Sequence, residues 1–395
     1  MINSNFDILE QSSWNSLLLA NDFAIRPAVA NANTNIEGVE IAGQVAGRNK
    51  IVKVPRAVKI TGDAREYSGT YTQDVPDFTN EQLSMDDIYY RSFNIDKWDS
   101  SFSFVDFVGG TIKPYMENVI DTIESAQVKR ELDRFNSAVV DLNTTPTVMN
   151  VEDIRFMRKT LLKRGLVNPS SIKAGLIDPD AEFDLNGLSL FNDASQRGNS
   201  DVQIEGAMGK AFGFNFMLGH NTRTVSTDSA TGDAVVAGAH SVGDTTITID
   251  DGSGGASDTT LANGDVIYFG TASGRDNWYV VDSVNAGKTE ITLKEPLRYA
   301  LTDNDAITGV AGDCQYFYDT SSIALVTAIP QESAVMRASG ATRIPFYEPV
   351  NKINFLITIE GNTSGGLVTI ETLVGAKNFQ PSRGARYIKG TADKA

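Results

Sequence analysis

One apolar stripe limits the folds open to this chain more than any other feature. Met116, Val119, Ile120, Ile123, Val128, Leu132, Phe135 and Val139 recur every three to five residues, the period of one helix face. Pro114 stands where such a helix would start. Glu124, Lys129, Arg130, Glu131 and Arg134 fall on the other faces. The spacing predicts a helix over 112–140, long for a globular protein, with Met116, Ile120, Ile123, Leu132 and Phe135 in its core. The heptad does not persist long enough for a coiled coil.

Around this helix the hydrophobic period shortens to that of strands. Ile51-Val-Lys-Val-Pro55 and Ala57-Val-Lys-Ile60 alternate and lead into Gly62-Asp63, which predicts a β-ribbon with a mobile tip over 39–74. Tyr89, Tyr90, Phe93, Trp98, Phe102, Phe104 and Phe107 predict strand with one buried face. Residues 1–38 are polar and small apart from Trp14–Ala20, which suits an arm that orders only on docking. A second helix is predicted over 151–164: Asn150 as N-cap, Ile154, Met157, Leu161 and Leu162 buried, and Arg158, Lys159, Lys163 and Arg164 at the end before Gly165.

Residues 224–313 differ again. Runs at 245–249, 265–269, 278–281 and 291–293 are separated by Gly/Ser/Asp/Asn turns about ten residues apart, and no helical stripe occurs. This predicts an inserted β-barrel or sandwich, large enough to fold alone. Buried strands resume at 323–330, 353–359 and 367–377. The fold class is therefore α+β with an inserted all-β domain.

Charge is segregated along the chain. The whole carries −16, which opposes tight sequence-independent binding to DNA. The insert holds 14 acidic against 4 basic residues, leaving −10. By contrast, Arg48, Lys50, Lys53, Arg56 and Lys59 form a basic stretch, and Lys377, Arg383, Arg386, Lys389 and Lys394 a basic C-terminal tail. Such polarity suits subunits that meet head to tail, and the first stretch supplies the candidates for contact between subunits.

Catalytic patterns fail on spacing. The histidines are His220 and His240, neither in a nucleophile-elbow or H-E-x-x-H context. Gly206, Gly209 and Lys210 mimic a phosphate loop, but two residues separate the glycines where four are required, and Ala211 follows the lysine. Asp178, Asp180, Glu182 and Asp184 alternate without the glycine or bidentate glutamate of a Ca²⁺ loop, so they read as a solvated loop. Asp250-Asp251-Gly reads as a hairpin turn. The lone Cys314 cannot pair within the chain and reads as a small buried hydrophobe of a protein folding in a reducing cytoplasm. No catalytic, cofactor or metal residue is predicted. Nothing approaches the ~18 apolar residues of a membrane span, and the first residues lack a basic, then apolar, leader.

Gly206-Ala-Met-Gly-Lys-Ala-Phe-Gly-Phe-Asn-Phe-Met217, with Gly213-Phe214 at the entry to a strand, resembles an element of tailed-phage major capsid proteins. The preceding loop with Leu188, Phe191 and Asn192 is similar too. Val368-Thr-Ile-Glu-Thr-Leu-Val-Gly-Ala-Lys377 followed by Pro381, Arg383 and Gly384 resembles the closing strand and basic tail of that family. The resemblance implies the Hong Kong 97-type capsid fold: N-terminal arm (1–38), extended β-loop (39–80), peripheral domain with spine helix (81–145), axial domain (146–223), inserted β domain (224–313), then core and closing strands (314–395).

It further implies self-assembly through hexamers and pentamers into an icosahedral virion shell around double-stranded DNA, built in a bacterial cytoplasm. The implied partners are a separate scaffolding protein, a portal protein and a decoration protein, with only weak contact to packaged DNA and no membrane. No scaffold-like coiled coil of ~100 residues precedes the arm. Some relatives crosslink a loop lysine, for which Lys50, Lys53 or Lys59 would serve here. A nanocompartment (encapsulin-like) shell and a β-rich tail or adhesion protein are the rival readings. The acidic insert and the lack of a cargo-binding N-terminal helix oppose the first, and the long helix the second.

Overall fold

The structure is a computed structural model that describes residues 18–19, 23–32, 51–55, 80–96, 108–141, 149–163, 173–188, 191, 209–219, 222, 224–226, 231–270, 277–330, 341–362 and 365–391. In chain order the elements are α1 (Pro27–Ala32), β1 (Ile51–Pro55), β2 (Asn80–Ser84), β3 (Asp87–Asp96), α2 (108–132), β4 (Ser137–Asp141), α3 (Val151–Lys163), β5 (Lys173–Ile177), α4 (Pro179–Asn186), β6 (Lys210–Ala211), β7 (Phe214–Leu218) and β8 (Thr224–Ser226). Then follow β9 (Val235–Val236), β10 (Thr246–Asp250), β11 (Val266–Phe269), β12 (Tyr279–Val284), β13 (Glu290–Leu293), β14 (Ile307–Gly309) and β15 (Ala311–Asp319). The chain closes with β16 (Ile323–Ala328), β17 (Thr342–Glu348), β18 (Ile353–Asn362), β19 (Gly365–Asn378) and β20 (Gly384–Thr391). The fold is α+β. The described elements fall into two compact units, the division passing through α2 after Ile120.

In the first unit, β1 and β2 form an antiparallel ribbon with Ile51 opposite Ser84 and Pro55 opposite Asn80. A five-stranded sheet runs β16-β19-β18-β17, with β3 on the flank of β19. Its alternation sorts two faces. Val368, Ile370 and Thr372 of β19, Phe355 and Ile357 of β18, and Ile344 and Phe346 of β17 are buried together on one side. β3 contributes Arg91 and Phe93 to that side: Arg91 Nε donates to Asn118 Oδ1 at 2.8 Å, and Phe93 stacks on Tyr115 at 4.5 Å. The start of α2 thus covers β3 on one face only. The aromatic run from residue 89 is accordingly less enclosed than its composition predicts. Tyr89 and Phe93 are half-buried and Tyr90 is exposed, while Trp98, Phe102, Phe104 and Phe107 lie outside the described residues. Leu83 and Met85 pack separately with Ala324 and Val326, and Gly375 allows β19 past them: a Cβ there would meet Ser84 O at 2.4 Å.

The second unit is built on β7-β5-β15-β20-β4, in which β5 and β7, and likewise β20 and β4, run parallel. Helices α3 and α4 cover one face through Ile154, Met157, Leu161 and Leu185, packed on Phe214, Phe317 and Tyr387. Asn150 caps α3 reciprocally: its Oδ1 accepts from Asp153 N at 3.1 Å, and Asp153 Oδ2 accepts from Asn150 N at 2.9 Å, the capping-box geometry. Leu162, expected inside, is 37% exposed, and Thr160 takes the buried position.

α2 departs from a uniform α-helix. It opens with a π turn (Val108–Ile112), and a second π turn (Glu124–Val128) separates Lys113–Ile123 from Lys129–Leu132. The wider turn places Glu124, Gln127 and Glu131 inside with the apolar stripe. Arg26, preceding α1, meets Asp121 at 3.3 Å and Glu124 at 3.8 Å; Arg134 holds Glu131 at 3.0 Å. The helix ends at Leu132, not near 140. Phe135 sits in the turn beyond it, and Val139 belongs to β4, whose five residues are all buried.

A separate apolar core, including Val236, Ile247, Ile267, Phe269, Tyr279 and Ile291, is drawn entirely from residues 234–307. β9 to β14 surround it, with β10-β13-β12 and β12-β11-β14 paired antiparallel. Their ladder meets β4 at one pair, Tyr279 with Ser137. β8 instead pairs with β15, Thr224 opposite Asp313.

Candidate assembly surface

The groups considered for chemistry are occupied structurally. His240 Nε2 accepts from Thr248 N at 3.1 Å and lies 2.9 Å from Thr248 Oγ1, pinning β10 to the segment before it. Cys314 is fully buried in β15. Asp178 is not in a solvated loop: its Oδ1 accepts from Ala181 N at 2.7 Å as the N-cap of α4, and burial raises its carboxyl above the usual range. Asp180, Glu182 and Asp184 lie within that helix, where Asp184 also accepts from Met149 N. An Asp followed by Pro at the first helical position is the signal that could have located α4. Asp251 Oδ1 accepts from Ser253 N and Gly255 N in its turn, which lowers its pKa. Lys210 begins a hairpin in which Phe212 (φ 52°) and Gly213 (φ 84°) make the turn, with Arg158 Nη1 donating to Phe212 O at 2.8 Å. Among the described residues, no group of three or more His, Cys, Asp and Glu is arranged to hold a metal, and no helix is long and apolar enough to cross a membrane. His220 lies outside the described residues.

Of the basic stretch, Lys53 lies on β1 opposite Gln82; Arg48, Lys50, Arg56 and Lys59 lie outside the described residues. On α2, Met116, Ile120, Ile123 and Leu132 are at most 2% exposed, and Phe135, beyond the helix, is fully buried.

The C-terminal basic residues correct the expectation of a tail. Residues 384–391 form β20, between β15 and β4. Arg386 is completely buried. Lys389 Nζ lies 3.2 Å from Asp153 Oδ2 and 3.7 Å from Asp141 Oδ2, both carboxylates enclosed. Arg383 pairs with Asp319 at 3.6 Å. The charge of Lys389 is internal because its partners come from elements over 200 residues away. Lys377 Nζ donates to Gln82 O and lies over the Phe379 ring; Lys394 is outside the described residues.

The other face of the first-unit sheet is buried in part, at Leu356 and Thr358, and carries exposed apolar side chains elsewhere. Ile88 is 51% and Tyr90 64% exposed on β3, and Tyr347 51% exposed on β17. Glu371 of β19, opposite Tyr90, has its pKa raised by burial, with Arg343 opposing the shift. Among the described residues β3 pairs with β19, and it carries two of the exposed apolar side chains.

No protein-family model and no curated protein matches the chain. Among solved structures, it is similar to a chain of "Mycobacterium phage Che8", 12% identical over 94% of each chain, with a TM-score of 0.48. It is also similar to one of the "Asymmetric unit of bacteriophage PhiM1 mature capsid", 9% identical over 93% of this chain and 88% of that one, TM-score 0.44. A third, the "virus-like particle from Pyrococcus furiosus", is 9% identical over 96% of this chain and 99% of that one, TM-score 0.41.

Proposed function

We propose that this chain is a structural shell subunit, a major capsid protein without catalytic activity that assembles with copies of itself into an icosahedral head enclosing double-stranded DNA. The exposed Ile88 and Tyr90 of β3, with Tyr347 of β17, carry the proposal: large apolar side chains grouped on one sheet face are a liability in a monomer and an asset at an interface. The element order supports it, from the β1–β2 ribbon through α2 to the two sheets and the insert, as in the family that the sequence resembles. Hexamers and pentamers, a separate scaffolding protein, a portal, a decoration protein outside, weak DNA contact and assembly in a bacterial cytoplasm complete the reading.

Tyr90→Asp tests the face. A charge at a central interface position costs about 2 kcal/mol or more per contact, roughly a thirtyfold loss of affinity. Sedimentation velocity should show large species for wild type and small ones for Tyr90→Asp, with unchanged cooperative unfolding. Equal assembly by both would remove this face from the interface.

A further inference from the structure

Arg386 is the largest of the fully buried side chains among the described residues. It stands on the face of the second-unit sheet opposite that of Tyr387 and α3, in one cross-strand row with Tyr316 of β15 and Ala138 of β4. Its Nη1 donates to Gly264 O at 2.7 Å, reaching the β9–β14 module. Nε and Nη2 are buried without an acceptor, a rare condition that calls for an occupant. A second cation lies close by. Lys294, directly after β13, has its ammonium pushed down to about 8, first by burial and then by the charge of Arg386; Arg134 acts the same way, and the carboxylates of Asp282 and Asp133 oppose it. Asp133 is itself engaged, accepting from Tyr316 Oη at 2.7 Å.

Two unpaired donors and two like charges, sequestered together, are each unfavourable, and one enclosed anion relieves both. We infer that this seam between the β9–β14 module and the β4–β20–β15 sheet binds a small monovalent inorganic anion, held by Nε and Nη2 of Arg386 with the Lys294 ammonium as second cation. A halide fits best. It needs no donor or acceptor geometry of its own, whereas a phosphate would bring more charge and more oxygens than two N–H groups and one ammonium satisfy. A water molecule would accept from the guanidinium but bring no charge to offset the repulsion between the two cations.

Bromide is the probe. Full-length protein is melted across a bromide series at constant ionic strength, gluconate replacing bromide, and crystals grown in bromide are measured for anomalous scattering. The expected results are a saturable rise in melting temperature relative to gluconate, and an anomalous peak within hydrogen-bond reach of Arg386 Nε and Nη2. Lys294→Met should weaken the bromide response at least tenfold, and comparing it with wild type cancels the general effect of salt; its half-buried position makes it the variant that folds if Arg386→Met does not. No peak at saturating bromide, or a response undiminished in Lys294→Met, overturns the assignment.

Discussion

Replacing Lys389 by alanine should lower the stability of the second unit by about 3–5 kcal/mol, the cost of leaving buried charge uncompensated. Its ammonium lies between Asp141 at the end of β4 and Asp153 in the first turn of α3, and neither carboxylate is more than 2% exposed. Asp153 is also half of the α3 capping box, so the change reaches the helix start as well. The pair itself need not be stabilising over apolar residues; the loss comes from breaking it. Lys389→Met together with Asp141→Asn should recover part of the loss, because one charge goes with its partner. Guanidinium chloride unfolding of the three proteins measures this. A loss below about 1 kcal/mol for Lys389→Ala would mean that both carboxylates reach solvent or other donors.

Ile123→Asp should be at least as damaging. Ile123 is fully buried at the end of the α-helical stretch of α2, where the π turn begins. A carboxylate placed there either stays charged and unpaired or takes up a proton against its ordinary pKa, and either route costs several kcal/mol. The expected outcome is insoluble protein and no assembled particles. Soluble protein at wild-type yield, with an unchanged melting curve, would show that this side of α2 is not enclosed.

The sequence shows its local structure far more clearly than its long-range partners. The predicted runs at 245–249, 265–269, 278–281 and 291–293 coincide with β10 to β13 because the Gly and Asp turns between them are local chemistry. The stripe of α2 was legible through Leu132. It was overextended because Phe135 and Val139 continue a helical spacing by coincidence, although Val139-Val140 is β-branched and strand-like. α4 was missed because Phe183, its largest apolar side chain, is 81% exposed, leaving no stripe to detect. β20 was hidden by its charges. Counting Arg386 and Lys389 as surface ignores that Gly264, Asp141 and Asp153 converge on them, and no single-sequence pattern encodes that convergence. The same limit applies to assembly: the basic stretch at residues 48–59 stood out by charge, whereas Ile88 and Tyr90 are informative only once β3 is placed in its sheet.

Electron microscopy of the purified full-length chain, alone and with the proposed scaffolding protein, tests the shell reading most directly. Closed particles of uniform size built from six- and fivefold clusters are expected, with β3 of each subunit covered by a neighbour. A monodisperse monomer at high concentration with scaffold present would contradict it.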